Sequence, residues 1–151
     1  ELKPMLEDHD LIGLVEPLGF AACALRRKSE AVEAIEALGA RGRFRLVHDT
    51  FHHFLAGGGP IFPEHTGIVH ISGVIAPAVA ADDMTDAHRV LVDSHDRLGN
   101  VEQLAALRAA GWSGPVSFEA FAPEIHALAD PAAAVTTSMN FIGSELAAKA
   151  A

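Results

Sequence analysis

Apolar residues along the chain switch repeatedly between two spacings. Short apolar runs read as strands at Leu11–Glu16, Phe44–Asp49, Gly67–His70 and Pro115–Glu119. Apolar positions three or four apart read as helices. One helix is predicted from Ser29, as N-cap, to Leu38, with Ala31, Ile35 and Leu38 along one face and Gly39 as its stop. Another runs from Val101 to Ala110, with Leu104 and Leu107 inward and Gly111 as cap; a third runs from Pro131, behind Asp130, to about Leu146. Residues 1–9 read as the end of an earlier helix. Gly57-Gly58-Gly59-Pro60 must be a loop, and residues 74–100 read as a long irregular connection holding one short helix.

Strand and helix therefore alternate, as βα units around a parallel sheet do. No Gly-x-Gly-x-x-Gly loop follows any strand, so a dinucleotide site lacks its fingerprint. A (β/α)8 barrel of about 250 residues uses about 31 per unit, so this chain supplies four to five units. The expected fold is α/β, the C-terminal half of a (β/α)8 TIM barrel with about four βα units, in a single domain over residues 1–151. The chain begins with Glu1 inside a helix-like segment. An N-terminal half is expected to be absent from this sequence, or a second copy to close the barrel, and a homo-oligomer is expected.

Half of the 151 residues are apolar, enough for a substantial core. The net charge of −9 opposes a phosphate backbone, so no nucleic-acid partner is expected. The single cysteine, Cys23, excludes an internal disulfide and fits a reducing compartment. No apolar run approaches a membrane span of roughly 20 residues, so the expectation is a cytoplasmic protein with no membrane partner.

The chemistry lies where the strands end. Glu16, Asp49, His70 and Glu119 each close an apolar run, at the face where barrels and open parallel sheets build their active sites. A carboxylate or imidazole costs free energy in such a place, and four in one chain point to one shared site. The set is of mixed oxygen and nitrogen character and suits one divalent ion, Mn²⁺ first, with Mg²⁺, Co²⁺ or catalytic Zn²⁺ also compatible. Four protein ligands leave room for two substrate oxygens, which would polarise a hydroxy-carbonyl unit. Removing and returning a carbon-bound proton next to that carbonyl needs a base and an acid, and Glu16 and Glu119 are the candidates. His52, three residues past Asp49, is expected to contact substrate. His48 should point to the opposite side of its strand. His95-Asp96-Arg97 reads either as a polar cluster over the site or as a solvated loop.

Val15-Glu16-Pro17, His48-Asp49-Thr50-Phe51-His52, Val69-His70-Ile71-Ser72 and Ser117-Phe118-Glu119 resemble the ends of strands five to eight in the xylose isomerase-like TIM-barrel superfamily. That superfamily includes sugar isomerases, sugar epimerases and endonuclease IV-type enzymes. The resemblance runs through the whole chain and is nearest to the inosose (2-keto-myo-inositol) isomerases. It implies that Glu16, Asp49, His70 and Glu119 bind the metal, that the two glutamates exchange the proton, and that His52 touches substrate. An arginine after strand seven is implied in substrate binding too, with Arg89 as first match and Arg97 as second. The implied partner is a small-molecule sugar or polyol ketone, isomerised or epimerised through an enediolate. A dehydratase on the same site, an endonuclease IV-like phosphoesterase and a non-catalytic sugar-binding half-barrel are the rivals. The chain departs from its relatives at Asp93–Asn100, where many carry Pro-Gly-x-Gly.

Overall fold

A computed structural model of the chain describes residues 1–150. Its centre is a four-stranded parallel sheet in the order β1 (Gly13–Val15), β2 (Phe44–Asp49), β3 (Thr66–Ile71), β4 (Val116–Phe118). Each strand neighbours the next in sequence, as successive βα units require. Helix α1 (Leu2–Asp8) precedes the sheet, α2 (Lys28–Ala37) and α3 (Thr50–Leu55) follow β1 and β2, α4 (Asn100–Ala109) lies between β3 and β4, and α5 (Pro123–His126) and α6 (Pro131–Ala150) close the chain.

One sheet face carries the helices. Val69 and Ile71 pack against Leu104, Leu107, Ile142 and Leu146 of α4 and α6, while Leu46 packs with Ala31 and Ile35 of α2. Because side chains alternate along a strand, Asp49 and His70, paired in register, lie on the other face. Leu14 is 47% exposed at the edge strand. No helix among the described residues is long and apolar enough to cross a membrane.

Several local expectations are corrected. Helix α2 begins at Lys28, with Arg27 rather than Ser29 at the N-cap, because the Glu30 carboxylate accepts the Arg27 N–H at 3.2 Å. Its apolar face ends at Ile35: Leu38 sits at the C-cap and is 70% exposed. Helix α3 was not predicted, since its six residues are too short to show a period. It forms because the Asp49 carboxylate caps it, accepting the His52 N–H at 2.8 Å, and because Phe51 and Leu55 bury one turn apart. The long connection holds two short 3-10 turns, Ala81–Asp83 and Asp86–His88, instead of one helix. It is pinned by an antiparallel bridge between Gly73 and Val90. Helix α5 lies in the connection after β4, with Pro123 at its first position where the missing N–H is harmless.

Candidate metal centre

The four strand-end residues converge. Glu16 and Glu119 stand one residue beyond β1 and β4, Asp49 is the last residue of β2 and His70 the next-to-last of β3. Glu119 is held by its own N–H, which donates to the Ile71 carbonyl at 2.8 Å. One ligand atom from each of the four lies within 4.8 Å of all the others. His70 Nδ1 is 3.5 Å from Glu16 Oε1 and 3.3 Å from Glu119 Oε1. The Asp49 side chain is 1% exposed and the other three are about a quarter exposed, so the cluster is buried on one side and open on the other.

Electrostatics favour a cation there. Burial pushes the Glu16 carboxyl above its ordinary range, and the nearby Glu119 and Asp49 push it further. Glu16 Oε1 and His70 Nδ1 are both buried without a hydrogen-bond partner. Orphaned atoms of this kind are uncommon in folded proteins. Three carboxylates, one imidazole and two unpartnered ligand atoms fit a divalent ion with oxygen and nitrogen ligands.

Arg89, which the resemblance assigns to substrate, is placed inside the cluster. It is 1% exposed, its Nη2 donates to Asp49 Oδ2 at 2.5 Å and Glu119 Oε2 at 2.8 Å, its Nε to Ser72 Oγ at 2.9 Å, and its Nη1 to Asp86 at 3.2 Å. The guanidinium lies between the Phe51 and Phe121 rings, 4.9 and 5.0 Å from their centroids. One Nη1 N–H is left for any other partner, so Arg89 mainly orients two carboxylates. His52 is brought beside the cluster: it is 4% exposed, packed edge-on against Phe20 and Phe51, and its Nδ1 has no partner. Burial lowers its pKa to about 4, so the ring is neutral near pH 7.

Arg97 is not brought to the cluster. Its Nη1 donates to the carbonyls of Ala76 and Val79, the latter at 2.9 Å, and staples the long connection. Asp96 does similar work, accepting the N–H groups of Val74, Leu98 and Asn100, so Asp96 and Arg97 brace the loop while the His95 side chain is exposed.

A second polar group went unanticipated behind the sheet. His48 faces the helices as predicted, but there it meets Lys28 and Gln103. Gln103 Nε2 donates to the Thr50 and Leu98 carbonyls, so its Oε1 must accept the His48 Nε2–H at 2.9 Å. His48 Nδ1 is then a lone pair that accepts from Lys28 Nζ at 2.6 Å. Burial lowers Lys28 to about 7 and His48 to about 3. A lysine one residue before the supposed N-cap gives no hint in sequence that it will be buried.

Known proteins share this architecture. The family model described as xylose isomerase-like TIM barrel matches residues 1–144. Inosose isomerase from Halalkalibacterium halodurans is 29% identical over 133 residues, covering 85% of this chain and 46% of that protein. A xylose isomerase domain containing protein from Salmonella typhimurium LT2 superposes with a TM-score of 0.84 at 29% identity, over 96% of this chain and 54% of the other. The IolI protein, described with a binding zinc atom, superposes with a TM-score of 0.81 at 23% identity, over 96% and 52%. The chain thus spans about half the length of these relatives, and its four strands match a partial barrel.

Proposed function

The chain belongs to the xylose isomerase-like TIM-barrel family, and on that premise we propose that it carries the metal centre of a divalent-metal-dependent isomerase or epimerase acting on a sugar or polyol ketone of inosose type. The convergence of Glu16, Asp49, His70 and Glu119 within 4.8 Å carries this reading. These four residues hold the ion, with Mn²⁺ favoured by the donor set and Zn²⁺ also compatible. When bound, the ion supplies Lewis acidity toward a hydroxy-carbonyl unit.

The chain's own groups do the rest. Glu16 and Glu119 come from the two outermost strands of the sheet, with His70 between their Oε1 atoms. One takes a proton from the hydroxyl-bearing carbon beside the carbonyl to give an enediolate. Protonating the former carbonyl carbon, with the hydroxyl proton passing between the two oxygens, isomerises; protonating the original carbon on its opposite face from the other glutamate epimerises. Glu16, with its elevated pKa, is suited to holding that proton. Glu119 is anchored through Oε2 by Arg89, which leaves Oε1 for the reaction. His52, neutral and buried, has a free nitrogen for a substrate hydroxyl.

The active protein also needs a complement to this half-barrel, because β1 and β4 each leave an unpaired strand edge. The further residues of a longer chain, or a second copy, would supply it. The assignment is tested by Glu119→Gln with inosose and ketose substrates at saturating metal: with the ion loaded despite its weakened affinity, turnover should still fall by about 10² or more. Unchanged turnover would remove Glu119 from proton transfer.

A further inference from the structure

A cavity of about 270 Å³ shares one residue, Asp49, with the metal centre and reaches from there to the start of α2; its wall also includes His52, Arg27, Lys28, His53 and the Gly57–Gly59 loop. In a chain of net charge −9, its wall gathers Arg26, Arg27 and Lys28, together with apolar Val47, Ala56 and Phe62 and the histidines. Its single carboxylate, Asp49, is already engaged through both oxygens, by the His52 N–H and by Arg89. We propose that this cavity is a subsite for an oxyanion group, a phosphate monoester or a carboxylate, carried by the substrate. The assignment of that group to the substrate rests on the function proposed above.

Three independent features support it. Lys28 is 9% exposed and bonds only to His48 Nδ1, so two of its three ammonium N–H groups lack a partner in a buried place. A buried ammonium with no carboxylate against it is unusual. The partly buried His53 adds a buried Nδ1 with no partner, which donates to an anion when it carries the ring proton; the corresponding atom of His52 is the one left to a substrate hydroxyl. The third feature is the start of the ten-residue helix α2. Arg27 stands at its N-cap, where Ser, Thr, Asp or Asn would ordinarily accept a first-turn N–H, and an arginine side chain cannot. The first-turn N–H groups therefore have no side-chain acceptor from the N-cap, and Arg27, Lys28 and Ser29, at this anion-favouring end of the helix, line the cavity. Glu30, also in the first turn, is exposed and bonds to the Arg27 N–H. Arg26 is committed to the Gly19 and Leu55 carbonyls, at 2.7 Å each, and ties the loop after β1 to the end of α3.

The test has two arms on the full-length protein. In the first, inorganic phosphate is titrated into metal-free wild type, Lys28→Met and Arg27→Ala, and binding is read by calorimetry. Wild type should bind, with the dissociation constant at least about tenfold weaker in Lys28→Met and measurably weaker in Arg27→Ala. Equal binding by all three, or none by wild type, overturns the subsite. In the second arm, the metal-loaded protein is offered fructose, fructose 6-phosphate and 5-keto-gluconate. A preference of about tenfold or more for one anionic ketose, lost in Lys28→Met, supports the proposal and tells phosphate from carboxylate. No preference overturns the claim that the anion belongs to the substrate. Phosphate binding that depends on Lys28, with no ketose bound in any metal state, would support the anion site while refuting the isomerase reading. Arg27 lies on the surface, so its variant keeps the test sound if Lys28→Met misfolds.

Discussion

Replacing Lys28 by methionine should remove a pH dependence of folding that the wild-type chain carries. The Lys28 ammonium, ordinarily near 10.5, falls to about 7 because burial disfavours its charge. Holding it charged below pH 7 therefore costs about 5 kcal/mol, at 1.36 kcal/mol per pH unit. The folded pKa is the lower one, so the unfolded chain binds the extra proton between about 7 and 10.5. Wild-type stability should rise with pH across that window, and the gain is lost as pH falls through 7. Methionine fills much the same volume without a charge but leaves His48 Nδ1 without its donor, a loss of about 1–3 kcal/mol. Below pH 7 the variant should thus be more stable than wild type by about 2–4 kcal/mol. Urea unfolding of the metal-free protein in phosphate-free buffer at pH 6 and pH 9 reads both effects. Wild type should gain about 2–3 kcal/mol over that interval from this group, while Lys28→Met shows no such gain. Equal pH slopes in the two proteins, or a variant several kcal/mol weaker at pH 6, would refute the reasoning.

Arg89→Met should destabilise the metal-free chain by about 3–5 kcal/mol, since Asp49 would keep a buried charge with no counterion. A divalent ion should restore much of that loss, so the rise in melting temperature on adding Mn²⁺ should exceed that of wild type; a smaller rise would sink the orienting role of Arg89. Gly19→Ala should also be costly, because a Cβ there would stand 2.2 Å from the His52 carbonyl oxygen and 2.8 Å from Leu55 Cβ. Displacing helix α3 should lower stability by about 1–3 kcal/mol in a urea titration, and a change under about 0.5 kcal/mol would show that the loop yields freely.

Much of this site is legible in the sequence because parallel strands advertise their own ends. Phe44–Asp49 ends in four buried residues, Leu46 to Asp49, the last of them an acid, and its register with Thr66–Ile71 puts Asp49 against His70 without help from distant residues. What stayed hidden depends on contacts across the fold. Lys28 and Gln103 lie 75 positions apart, and only α2 and α4 packing on one sheet face brings both to His48. Arg89 reads equally as a substrate contact or a brace until its partners Asp49, Asp86 and Glu119 are seen around it. Arg97 carries the same charge in the same connection, yet it meets backbone carbonyls instead of carboxylates. Helix α3 eluded the apolar period because a capping aspartate, more than an amphipathic stripe, starts it.

The central claim is that four side chains from four strands hold one divalent ion. Elemental analysis of the full-length protein, paired with calorimetric titration of Mn²⁺ and Zn²⁺ into the stripped protein, tests it most directly. One ion per chain is predicted in wild type, with affinity at least about 10²-fold lower in His70→Ala and in Glu16→Gln while both variants stay folded. No ion in wild type, or undiminished affinity in both variants, would contradict the account.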